Sequence, residues 1–171
     1  MKSNTHAFTL IELLIAMIII SALSLLLIGN FMSSLTKGRD SKRKGDLNQL
    51  RQAVEMFYED RRSYPFEKGT AQNNLMDSSD YINSNMSFIV SGKTYINRLP
   101  QDPNSSFKYV YMTDAVGSYF RLFSCIENSN DTSEGVSQTG FTDGPASCGS
   151  GCSKCKYTIS SPNITPLPTV P

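Results

Sequence analysis

The chain has 171 residues, a formal net charge of +1, 18% charged residues, no Trp and one His. That length holds one modest domain beside a long helix. The near-balanced charge gives no global pull towards nucleic acid, and the scarcity of His removes most metal-dependent and histidine-based catalysis. No sequence period repeats, which argues against an array fold.

A polar leader, Met1–Ala7 (MKSNTHA), precedes the apolar run Phe8–Ile28. The run has about 21 residues, the length a helix needs to cross about 30 Å of hydrocarbon. A secretory signal places its small-residue cleavage site after the apolar run and loses that run. Here the small residue, Ala7, comes before it, so a cut at Ala7/Phe8 leaves the apolar helix on the mature chain. Glu12 sits inside the run. A carboxylate there costs about 2.5–3.5 kcal/mol on insertion scales and needs a partner, unless it is protonated or snorkels to the interface.

Ala7 followed by Phe8-Thr9-Leu10-Ile11-Glu12 and an unbroken apolar helix resembles the prepilin signal of type IV pilins and type II secretion pseudopilins. The resemblance implies a membrane peptidase that cuts before Phe8 and methylates the new Phe8 amine. It also implies that Glu12 neutralises the terminal amine of a neighbouring subunit as a filament assembles. The family usually has Gly before the cut where this chain has Ala7, whose small side chain still fits.

From Asn30 the chain is free of Pro until Pro65. Leu47, Leu50, Val54 and Phe57/Tyr58 recur at helical spacing, with Asp46, Asn48, Gln52, Glu55 and Glu59 opposite. The pattern predicts one continuous helix from about Phe8 to about Arg61, roughly 80 Å long at 1.5 Å per residue. Residues 8–28 are its apolar half and 29–62 its amphipathic half. Gly29, Gly38 and Gly45 each weaken it by up to about 1 kcal/mol relative to Ala, so Gly29–Gly45 is where the helix can bend or locally unwind during packing. The family commonly has Pro where this chain has Gly29.

Lys37-Gly-Arg39-Asp-Ser-Lys42-Arg43-Lys44 puts five cations into eight residues. It reads as a helix collar facing solvent or lipid headgroups; a nucleic-acid patch lacks the interleaved aromatics that stack bases. More cations follow the apolar run than precede it, which by the positive-inside rule alone would leave the remainder in the cytoplasm. The resemblance places it outside, and the cysteines agree. Further on, GRDSKRKGDLNQLRQAVEMFYEDRRSYP and Leu99-Pro100-Gln101-Asp102-Pro103 resemble the globular part of a major pseudopilin. Physically, Pro65 ends the helix, and Pro100 and Pro103 fix a turn.

Between Pro65 and Leu99 the polar chain reads as a surface connection, with a short helix near Gln72–Tyr81 and apolar pieces at Tyr81-Ile82, Ser87–Val90 and Thr94–Ile96. Alternation then takes over. Phe107, Tyr109 and Tyr111 share one face of Phe107–Met112; in Ser118–Cys125, Phe120 and Leu122 oppose Tyr119, Arg121 and Phe123. With Asp114–Gly117 between them, these runs predict an antiparallel hairpin, joined by a third strand at Tyr157–Ser160. The tyrosine row reads as sheet packing rather than a ligand cage.

Cys125, Cys148, Cys152 and Cys155 offer either two disulfides or, with all four as ligands, a zinc site. An oxidising environment and an even count favour disulfides, with three pairings open. Cys152-Ser-Lys-Cys155 lacks the βαβ context of a thioredoxin-like redox motif. The loop Glu127–Phe141 is rich in oxygen side chains. Major pseudopilins bind calcium in a loop of this general region, which makes Glu127, Asp131 and Glu134 weak calcium candidates beside the reading as a solvated loop. No other cofactor is implied.

The expected organisation is a leader (1–7), a transmembrane or filament-core helix half (8–28), an amphipathic half (29–62), a globular pilin-like β domain (63–160) and a Pro-rich tail (161–171). The fold class is α+β: a long N-terminal helix packed on a small antiparallel sheet, with a Cys-rich C-terminal loop. The resemblance implies a structural, non-enzymatic subunit of a pilus or secretion filament. Its partners would be like subunits, the prepilin peptidase, an assembly platform protein and an ATPase. The chain would sit in the inner membrane before assembly, with its C-terminal domain outside. The alternatives are a minor, initiating pilin or an uncut membrane-anchored binding or adhesion domain.

Overall fold

The computed structural model describes residues 8–66, 75–141 and 143–164, with residues 26–30 described by backbone alone. One helix, α1 (Leu10–Arg61), runs unbroken for 52 residues through Gly29, Gly38 and Gly45. Thr9 caps its start in an extended conformation, and its end is set by Arg62, whose left-handed backbone (φ 57°) donates its N–H to the Tyr58 carbonyl at 2.7 Å. Pro65 follows, where a helix could not have continued.

The second half of α1 lies on a three-stranded antiparallel sheet of order β3-β4-β5: β3 (Val110–Thr113), β4 (Phe120–Ser124) and β5 (Tyr157–Ser160). Val110 pairs with Phe123, and Leu122 with Ile159. The helix stripe Leu47, Leu50, Ala53, Val54 and Phe57 is buried against Tyr109, Tyr111, Phe120, Leu122 and Tyr157. Full burial of such side chains stabilises by about 1.5–3 kcal/mol each, which anchors this half of the helix to the sheet. The turn between β3 and β4 requires Gly117 (φ 68°): a Cβ there would lie 2.3 Å from the Tyr64 carbonyl oxygen.

Because side chains alternate, β3 and β4 also have a second face. It carries Val110 and Phe123, and on it the four cysteines, Phe107, Met112 and Phe141 form a separate small core. The sheet is therefore covered on both sides, by the helix and by the C-terminal loop.

Two expectations are corrected. The stretch before Leu99 contains a second antiparallel pair, β1 (Phe88–Val90) and β2 (Lys93–Ile96), turned by Ser91 (φ 50°) and Gly92 (φ 79°) and packed on the end of α1. The short helix expected near Gln72–Tyr81 is absent from its described part: Met76 bridges to Ile82, and Tyr81 to Val110, as sheet-edge pairings. Residues 72–74 lie outside the described residues. Phe107 also departs from the expected face. The strand starts only at Val110, so Phe107 turns towards the second core while Tyr109 and Tyr111 join the first.

Candidate functional site

The N-terminal end of α1 is built by Thr9-Leu10-Ile11-Glu12, a capping box. The Thr9 hydroxyl accepts from the Glu12 N–H at 3.3 Å, and the Glu12 carboxylate accepts from the Thr9 N–H at 3.4 Å. Glu12 therefore sits folded back over the first turn, next to Phe8, which is 84% exposed. From Leu10 to Leu25 every large apolar side chain is at least half exposed, Leu10 at 91%. Ala7 lies outside the described residues, as does the rest of the leader.

Among the described residues no helix is long and apolar enough to cross a membrane. The expected span, Phe8–Ile28, extends into residues 26–28, whose side chains are not described.

The basic run is not the solvated collar that the sequence led one to expect. Arg43 is wholly buried and held by three carboxylates. Its Nε and Nη2 donate to the two Asp102 oxygens at 2.8 and 2.9 Å, Nη1 to Asp40 at 2.6 Å, and Nη2 also to Glu127 at 2.5 Å. The guanidinium lies 5.0 Å from the centre of the Phe107 ring. Asp40 accepts the N–H groups of Glu127 and Asn128 as well. Arg39 forks onto Glu127, Lys44 bonds Asp131 and Ser133, and Lys42 bonds Asp46 and the Gln101 carbonyl. Of the five cations, only Lys37 has no partner among the described residues.

This network fastens the helix, just beyond its apolar half, to the Leu99–Pro103 turn and to the loop after β4. Burial works against the charge of Arg43, but its bonds to Asp102 and Glu127 win and raise its pKa. Hydrogen bonds from Arg39, then Arg43, hold Glu127 below the ordinary carboxylate value. Burial opposes the charge of Asp131 too, yet Lys44 and Ser133 bring it down to about 2. Two of the calcium candidates, Glu127 and Asp131, are thus occupied by cations of the chain itself, and Glu134 points to solvent. Among the described residues no cluster of three or more His, Cys, Asp or Glu could hold a metal ion.

The four cysteines pair as Cys125–Cys152 and Cys148–Cys155, with none left free. The bridges pin the end of β4 to the C-terminal loop inside the second core.

A capped apolar helix end, exposed for its whole described length, on a clamped helix-and-sheet domain defines a pilin-like class of protein. A family model described as the prokaryotic N-terminal methylation motif matches residues 2–28. A second, described as type II secretion system (T2SS) protein G, matches residues 30–139. The type II secretion system core protein G of Aeromonas hydrophila is 31% identical over 103 residues, covering 60% of this chain and 69% of that protein. The chain belongs to the type II secretion system protein G family, the pseudopilins, and carries their prepilin-type N-terminal motif. No solved structure matches it.

Proposed function

We propose that the chain is a structural subunit of a type II secretion pseudopilus, acting mechanically rather than chemically. Its N-terminal helix anchors it in the inner membrane until a prepilin peptidase cuts at Ala7/Phe8 and methylates the Phe8 amine. A platform protein and an ATPase then drive assembly. Subunits leave the bilayer and bury their apolar helix halves against one another, while Glu12 pairs with the Phe8 amine of the next copy.

The observation that carries this reading is the uncovered apolar half of α1. Side chains such as Leu10 (91% exposed), Ile11 (69%) and Ile18 (60%) find no cover among the described residues. At about 25 cal/mol per Å² of apolar surface, such a face needs lipid first and neighbouring helices afterwards. Burying Glu12 among them would be costly without an opposite charge, and the Phe8 amine of a neighbour supplies one. The mature N-terminus tests the reading. Mass spectrometry of the chain from its native membrane is expected to find a species beginning at a methylated Phe8. An unmodified chain beginning at Met1 would instead support an uncut membrane anchor.

A further inference from the structure

The two bridges interleave. In chain order the cysteines are 125, 148, 152 and 155, and the first pairs with the third (separation 27) and the second with the fourth (separation 7). We propose that this chain is a substrate for thiol–disulfide isomerisation: it first oxidises to consecutive bridges, Cys125–Cys148 and Cys152–Cys155, and a dithiol catalyst then converts these to the native pair.

Chain statistics do not select the native pattern. Loop-closure entropy grows only slowly with length and short loops depart from that scaling, so it does not select the native Cys148–Cys155 loop over Cys152-Ser153-Lys154-Cys155. What selects it is packing. Lys108 N–H bonds the Cys148 carbonyl at 2.8 Å, Cys148 N–H bonds the Cys152 carbonyl at 3.0 Å, and Gly151 N–H bonds the Ser106 carbonyl at 3.3 Å. Gly149 (φ 102°) passes so close to this loop that a Cβ would sit 2.3 Å from the Ser106 oxygen. These contacts join the cysteine loop to the segment entering β3. They exist only once the sheet has formed, whereas thiols exposed to an oxidant in an unfolded chain react earlier. All four cysteines are then at most 5% exposed, so the exchange has to precede closure of the second core. The T2SS protein G match ends at residue 139, before three of the four cysteines.

The exchange balances. Oxidising four thiols to two bridges passes four electrons and four protons to a disulfide-bearing oxidant. A catalyst thiolate then attacks Cys152 Sγ of the consecutive Cys152–Cys155 bridge. Cys155 leaves as thiolate, with the cations Lys154 and Lys156 flanking the leaving charge. The Cys155 thiolate attacks Cys148 Sγ, which forms Cys148–Cys155 and releases the Cys125 thiolate. Cys125 attacks Cys152 Sγ, forms Cys125–Cys152 and expels the catalyst unchanged.

The proposal takes from the functional reading only that the domain is oxidised outside the cytoplasm; its test reads exchange whether or not the chain assembles. Reduced, urea-unfolded full chain is diluted into detergent micelles and oxidised with a small-molecule oxidant. A substoichiometric amount of a dithiol isomerase is either present or absent. Samples are acid-quenched, alkylated and peptide-mapped. Without isomerase the consecutive bridges accumulate; with it the native pair appears about tenfold faster or more. In the Cys148→Ser/Cys155→Ser chain only one pairing is possible, and the isomerase effect disappears. Native bridges forming first and equally fast without isomerase overturn the proposal, as does an isomerase effect that persists in the double variant.

Discussion

The two halves of α1 share one backbone and almost nothing else. From Leu10 to Leu25 every large apolar side chain is at least half exposed among the described residues, all round the helix. From Asp40 to Phe57 one stripe is buried on the sheet, and the charges beside it are tied to loops 59 to 89 residues away in sequence. The second half is satisfied within the chain, whereas the first half finds no cover among the described residues. A substitution in the second half should therefore be felt as lost stability, and one in the first half as lost association.

The sharpest break of that contrast is Arg43→Ala. It leaves Asp40, Asp102 and Glu127 facing one another without their shared cation, and removing one partner from a buried ion-pair cluster costs about 3–5 kcal/mol. Urea unfolding of the full chain in detergent micelles, followed by near-UV circular dichroism, measures this. A midpoint unchanged from the parent would show that the network is dispensable.

Acid attacks the same junction by a second route. Glu127 and Asp131 ionise in the folded chain below their ordinary values of 4.5 and 3.8, Asp131 at about 2. The unfolded chain thus takes up protons first as pH falls. The stabilisation is complete above those ordinary values and is lost as pH falls towards about 2. The unfolding midpoint should drop over that window, and the drop should shrink in Lys44→Ala, which removes the cationic partner of Asp131 and leaves Ser133. The smallest effect is expected for Ile18→Ala. At 60% exposure it should leave the globular unfolding midpoint within about 0.5 kcal/mol of the parent.

The contrast also marks what the sequence could and could not reveal. The stripe Leu47–Phe57 and the antiparallel strands β3 to β5 follow from local periodicity and stand where the pattern placed them, except that β3 begins at Val110 and leaves Phe107 outside it. Arg43 escaped because a cation three residues from Asp40 on a helix looks like any solvated pair. Its decisive partner, Asp102, is brought near only by the fold. Pro100 and Pro103 fix the Leu99–Pro103 turn, but nothing local marks it as the receptor of an arginine. The β1–β2 pair did carry a signal. Ser91-Gly92 is a two-residue, left-handed link between apolar pieces, in strands too short for alternation to assert itself. The Thr9–Glu12 capping box was equally legible and was hidden by the more specific likeness of the same residues. Cysteine pairing depends on tertiary packing alone, and spacing left its three solutions open.

The division of labour along α1 is tested most directly by Glu12→Ala, expressed in place of the native chain in its secreting host. The filament fraction and the membrane fraction are quantified side by side. The account predicts a folded, disulfide-bonded chain retained in the membrane, with a urea midpoint within about 0.5 kcal/mol of the parent and little or no chain in filaments. Filaments containing the variant at parental levels, or a globular domain that unfolds when Glu12 is removed, would contradict it.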